Sequence, residues 1–302
     1  MPIKLQNDFP AKDVLEKENI FAIDNDKAIH QDIRPLRILI VNLMPNKIDT
    51  EIQLLRLISK TPLQIDVDFL TMKSHVSKNT SLSHLKKFYQ TFDDIKMNRY
   101  DGMIITGAPL EHLNFKEVDY WDEICTLMNW SKTHVFSTVH ICWGAQAGLY
   151  YHYGIDKVNY QEKLFGIYRQ HLASNHFLVD GFDDEFYSPQ SRYTGIDEKQ
   201  VKQNKDLLIL TYSHHVGINM ITSKDSKNIF ILGHLEYDAT TLAKEYQRDV
   251  DKGLNIKVPY NYFQDDNPTS TPINTWRSHA NLFYHNWLNY VYQQTPYNLE
   301  DL

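Results

Sequence analysis

The segment Val135-Phe-Ser-Thr-Val-His-Ile-Cys-Trp-Gly-Ala-Gln-Ala-Gly148 changes style at a single residue. Up to Ile141 it is a short apolar run rich in β-branched side chains, which predicts a strand buried on both faces. From Gly144 onward it is a run of small residues that predicts a helix. Cys142 therefore stands where a strand stops and a helix starts. Gly144 and Ala145 leave room for a sharp turn, and the helix N-terminus beyond offers unpaired N–H groups and a positive dipole end, a setting that favours a thiolate. The N–H of Trp143, next after the cysteine, is placed to donate to an oxyanion. A free cysteine is otherwise a small buried hydrophobe. Cys125 reads that way, because Val118, Trp121, Cys125 and Met128 fall on one helical face.

Outward from this junction the same alternation recurs. Strands are expected over 36–44, 63–69, 102–106 and 135–141, and helices over 48–60, 82–95, 118–130 and 145–151. Four strand–helix units predict an α/β fold with a mostly parallel sheet flanked by helices. From about residue 164 the chain turns β-rich, with strands expected over 164–171, 192–196, 207–213 and 228–232, followed by helices over 241–251 and 274–292. No low-complexity linker interrupts it. The reading is a lead-in segment over 1–34 and one α/β domain over 35–302, elaborated in its second half.

The 302 residues suffice for a substantial core, and 42% hydrophobic with 23% charged residues is ordinary for a folded protein. The net charge of -7 arises from 31 basic and 38 acidic residues, well mixed and without the basic stripe that nucleic acid requires. No run approaches membrane-spanning length, and the N-terminus lacks the apolar stretch of a signal peptide, so a cytoplasmic location is expected. Two cysteines make no disulfide framework, and the histidines show no metal-ligand spacing, so neither a metal nor a cofactor is expected.

A catalytic cysteine needs a base, and the base needs an orienting group. Asn228-Ile-Phe-Ile-Leu-Gly-His-Leu-Glu236 supplies both: His234 and Glu236, two apart on an expected strand, would project to the same side. By itself His-x-Glu is weak among 14 histidines, and it gains weight only beside the cysteine elbow.

An elbow cysteine followed by His-x-Glu, with Ile105-Thr-Gly-Ala-Pro109 as a glycine-rich loop, resembles the class I glutamine amidotransferase fold. A narrower resemblance rests on His140-Ile-Cys-Trp-Gly-Ala-Gln-Ala-Gly148, Asn42-Leu-Met-Pro-Asn-Lys47, Ile105-Thr-Gly-Ala-Pro-Leu-Glu111, Lys163-Leu-Phe-Gly166, Ser191-Arg-Tyr193 and Gly233-His-Leu-Glu-Tyr237. Together these resemble the MetA-type homoserine O-acyltransferases of methionine biosynthesis. That resemblance implies Cys142 as acyl-thioester nucleophile, His234 as general base and Glu236 as its partner. It also implies Lys163, Ser191 and Arg248 in the substrate site, with Lys47 as a further oxyanion or positioning group. Without it, Arg248 would read as a solvated helix arginine and Lys163 and Ser191 as loop residues. The implied co-substrates are homoserine and acetyl-CoA, and the implied assembly is a homodimer. Family members that use acetyl carry glutamate where those that use succinyl carry glycine, and Glu111 stands at that position. Succinyl transfer, an amidotransferase-like hydrolase and a non-catalytic thiol sensor remain as alternatives.

Overall fold

The run Leu36-Arg-Ile-Leu-Ile-Val41 alternates between two faces that are both buried: Ile38 and Ile40 enter one core cluster, Leu39 and Val41 another. In the computed structural model, residues 34–75 and 79–302 are described, together with positions 3–4, 9–11, 14 and 22–23. Most of the lead-in expected over 1–34 lies outside the described residues. Of that stretch, β1 (Ile3–Lys4) and β2 (Ala22–Ile23) join the sheet in parallel.

The chain continues as β3 (Leu36–Val41), α1 (Lys47–Ile58), β4 (Ile65–Leu70), α2 (Leu82–Phe88), β5 (Tyr89–Gln90), α3 (Phe92–Ile95) and β6 (Tyr100–Ile105). Then come α4 (Trp121–His134), β7 (Val135–Ile141), α5 (Trp143–Tyr153), β8 (Lys157–Leu172), β9 (Glu185–Ile196), α6 (Glu198–Gln203), β10 (Leu207–Ser213) and β11 (Gly217–Ser223). β12 (Asn228–Ile231), α7 (Thr241–Asp251) and α8 (Arg277–Gln294) follow. The strands form one sheet in the order β2-β1-β4-β3-β6-β7-β12-β11-β10-β8-β9, with β5 beside β4. It is parallel through β12 and antiparallel beyond.

Helices cover both faces of the parallel half. Leu54 and Ile58 of α1 meet Phe283 and Trp287 of α8 in one cluster, while Trp121, Ile124 and Met128 of α4 meet Trp143 in the other. Fully burying such side chains contributes roughly 1.5–3 kcal/mol each. Cys125 packs against this second cluster half-buried, and burial pushes its thiol up to about 11.

The helix expected over 82–95 is two helices. Tyr89 and Gln90 leave the helix to pair with β4, and Thr91 restarts it, its N–H and hydroxyl both bonded to Asp94 at 2.8 and 2.7 Å. β11 was not expected from the sequence, and β8 and β9 each extend well before their expected starts. No helix among the described residues is long and apolar enough to cross a membrane.

Candidate active site

In a parallel sheet the carboxyl ends of the strands form one rim, where ligands collect. Here the pairings Val41 with Ile105, Ile105 with His140, and Ile141 with Ile231 bring four strand ends to that rim. The Cys142 N–H prolongs the last ladder by donating to the Ile231 carbonyl at 2.7 Å. Cys142 then turns the chain with φ 50° and ψ −112° and caps α5. A non-glycine residue at positive φ is strained, by about 1–3 kcal/mol, and this is the conformation that lifts a nucleophile above the sheet.

His234 and Glu236 do not sit on a strand as expected. β12 ends at Ile231, and both residues lie in the turn that follows. The turn brings them together: His234 Nδ1 donates to Glu236 Oε1 at 2.6 Å, which leaves Nε2 for the sulfur. A methyl group built on Gly107 would lie 3.3 Å from Cys142 Cβ and 3.7 Å from His234 Cε1, so the glycine-rich loop floors the place where the two converge. Tyr237 stacks on the imidazole at 4.1 Å between ring centroids, 16° from parallel. Burial works to lower the His234 pKa, but negative charge on Cys142 and Glu236 outweighs it and holds the group well above its ordinary value. The arrangement can therefore hold an imidazolium beside Cys142.

Next to this pair lies a second charged cluster. α7 presents Glu245, Arg248 and Asp249 at helical spacing. Glu245 is the hub: one oxygen accepts from the Tyr237 hydroxyl at 2.9 Å, and the other accepts from the Ser191 hydroxyl at 2.6 Å and pairs with Lys163 at 3.5 Å. Lys163 also pairs with Asp249 at 3.6 Å and lies 4.1 Å from the centroid of the Phe165 ring. Arg248 Nε donates to Asp249 at 2.7 Å, while its side chain stays 53% exposed, open to a ligand. Burial works to raise the Asp249 pKa, but the Arg248 bond and the Lys163 charge outweigh it and hold it below the usual carboxylate value. Lys163, Ser191 and Arg248 are thus brought together around Glu245 and Asp249. Glu245, Asp249 and Tyr237 were not anticipated, since acidic residues on a polar helix read as a solvated face.

The loop after β6 carries Glu111, whose backbone oxygen accepts from the Lys157 ammonium at 2.7 Å, as does that of Leu113 at 2.5 Å. The Tyr193 ring lies 5.1 Å from the His112 ring of this loop and its centroid 5.9 Å from the Lys163 ammonium, so the Glu111 loop and the Lys163 cluster both adjoin one ring. Trp143 is fully buried against Phe115 and Tyr120, and its N–H opens α5. Lys47 is buried too, its ammonium on the Asn42 carbonyl and 5.4 Å from the Tyr89 ring centroid. Burial pulls its pKa down to about 8 against the opposing charge of Glu51.

Solved structures with this fold include a glutamine amidotransferase from Thermotoga maritima (TM-score 0.56, 11% identity, 86% of this chain and 99% of that one). Another is a glutamine amidotransferase from Methylobacillus flagellatus (TM-score 0.52, 11% identity, 85% and 95%). At such identity the likeness concerns the fold alone. Among curated proteins, the homoserine O-acetyltransferase of Lachnospira eligens is 58% identical over 303 residues, covering 100% of this chain and 98% of that protein. That of Clostridium acetobutylicum is 55% identical over 301 residues, covering 99% and 100%. The model of the homoserine O-succinyltransferase family matches residues 2–297, and the chain belongs to that family.

Proposed function

We propose that the chain transfers an acetyl group from acetyl-CoA to the side-chain hydroxyl of homoserine, by way of a thioester on Cys142, as a step in methionine biosynthesis. The observation that carries the mechanism is the convergence of Cys142 and His234 over Gly107, with Glu236 holding the far side of the imidazole. The full-length relatives named homoserine O-acetyltransferase support the choice of reaction. In the first half-reaction the thiolate attacks the acyl carbonyl, the oxyanion is held by the Trp143 N–H with Lys47 as second donor, and CoA leaves with a proton from His234. One thioester replaces another, a nearly thermoneutral exchange. Acylation removes the negative charge on Cys142, one of the influences that keep His234 protonated. The neutral imidazole then takes the homoserine hydroxyl proton as the oxygen attacks the thioester, and the ester leaves as the thiolate returns.

The α7 cluster suits an amino acid. Arg248 and Lys163 face its carboxylate, and Glu245 and Asp249 its ammonium. Arg248→Ala is expected to raise the homoserine KM roughly ten- to a hundredfold, the worth of a charge-assisted bond of about 1.5–3 kcal/mol. Acylation by acetyl-CoA alone should survive. Steady-state kinetics with a separate burst measurement check this, and an equal collapse of acylation would remove Arg248 from the homoserine site.

The name of the matched family favours a second reading, succinyl transfer. Glu111 argues against it, because its side chain would fill the space a longer acyl group needs and oppose the succinyl carboxylate. At ~4 Å that repulsion is about 1 kcal/mol in water and about 4 kcal/mol at an effective dielectric near 20, or roughly one to three decades in rate. Glu111→Gly should erode the preference for acetyl-CoA and open succinyl activity, measured as the ratio of kcat/KM for the two donors. A wild-type preference for succinyl-CoA, or an unchanged ratio in the variant, would remove Glu111 as the discriminator.

A further inference from the structure

Arg192 on β9 is fully buried, and among the described residues no acidic side chain pairs with it. Burying a cation without a counter-charge is costly, so its place in the core calls for a reason. Every arm of the guanidinium is used: Nε donates to Gln190 Oε1 at 2.8 Å, Nη1 to the Tyr160 hydroxyl at 3.0 Å and the Thr194 carbonyl at 2.8 Å, and Nη2 to the Val216 carbonyl at 3.2 Å. From this hub two buried branches run to opposite sides of the candidate active site.

One branch reaches the nucleophile. The Thr194 hydroxyl donates to Gln146 Oε1 at 2.9 Å, and Gln146 Nε2 donates back to the Thr194 carbonyl at 3.4 Å. Gln146 lies in the first turn of α5, where its N–H closes on the Cys142 carbonyl at 3.0 Å. The other branch reaches the base. Gln190 Nε2 donates to Asn219 Oδ1 at 2.8 Å, and the Asn219 carbonyl accepts from Leu232 N–H at 2.8 Å. Gly233 packs directly onto this branch: a methyl group there would come within 2.4 Å of Gln190 Nε2 and 2.8 Å of Asn219 Oδ1. His234 N–H then donates to the Pro189 carbonyl at 2.9 Å. Gln146, Gln190, Thr194 and Asn219 are all at most 1% exposed.

We propose that Arg192 is a positioning residue that ties the helix behind Cys142, through Thr194 and Gln146, to the turn presenting His234, through Gln190 and Asn219. Its planar fork is what lets one side chain hold four oxygens in fixed directions, which a lysine ammonium cannot do. Full burial keeps Arg192 out of contact with substrate. The proposal rests on the reading of Cys142 and His234 as the reacting pair, and it adds what holds them in register.

The test uses Arg192→Lys and Thr194→Val, the second removing one hydroxyl at nearly constant shape. For each, the acetylatable sites are titrated, and the acylation rate per site, the homoserine KM and the pH profile of Cys142 alkylation by iodoacetamide are measured. Misplacement of a reacting group by about 1 Å can cost on the order of a hundredfold, so a ten- to hundredfold loss in acylation rate per site is expected. The homoserine KM should stay within about twofold, and the alkylation profile should change shape. Wild-type acylation per site with a wild-type alkylation profile in the folded variants would reduce Arg192 to a structural residue and overturn the proposal. A rise in homoserine KM alone would make it a substrate contact and overturn it equally. Should Arg192→Lys fail to fold, Thr194→Val decides. An acetyl adduct elsewhere than on Cys142 in the wild type would defeat the underlying reading instead, which separates the two failures.

Discussion

Cys142→Ser is expected to lower acyl transfer by at least about ten-thousandfold while leaving the unfolding midpoint nearly unchanged. The substitution keeps the buried contact with Gly107 and the backbone turn, and it removes only the polarisable sulfur. A serine hydroxyl beside His234 would have to be deprotonated during attack and would then form an ester, from which the acyl group leaves far less readily than from a thioester. Mass spectrometry of the wild type with acetyl-CoA alone should find acetyl on the peptide containing Cys142. Cys125 is the built-in control, since burial pushes its thiol up to about 11 and leaves it a poor nucleophile. An adduct on Cys125, or transfer that continues with no adduct at all, would end the thioester mechanism.

His234→Asn is expected to cost about 100- to 10,000-fold in turnover, the range for loss of a general acid–base group. Asparagine can keep a bond to Glu236 but cannot carry the proton between half-reactions. Because the folded pKa of His234 lies above its unfolded value of about 6.5, the pairing stabilises fully below that pH. The contribution is then lost as pH rises through the folded value. Stability measured from about pH 5 upward should therefore depend less on pH in His234→Asn than in the wild type. Parallel stability curves, with turnover intact, would show that the imidazole is neither paired nor catalytic.

Much of this was legible in the sequence where local patterning and tertiary role agree. β7 and β10 fall at their expected bounds, as does α7, because long apolar or periodic runs were bounded by clear breaks. The elbow was legible because a strand-to-helix change with small residues leaves few alternatives for Cys142. Less was legible where long-range pairing decides. Tyr89-Gln90 leaves its helix only because β4 offers an edge, and β11 is fixed by its neighbours β10 and β12. His234 and Glu236 were rightly paired for the wrong reason, since a turn rather than strand alternation joins them. Glu245 could not be found from periodicity. Its significance comes from Ser191, Lys163 and Tyr237 arriving from other elements.

The left-handed turn at Cys142 makes this position a place where reactivity and durability pull in opposite directions. Glycine would adopt the same backbone angles without strain and return about 1–3 kcal/mol to the fold. Selection for stability alone would therefore drift toward a residue that cannot form a thioester. On the proposed function a sulfur is needed there for turnover, and its strain is then offset by the stability of the surrounding sheet.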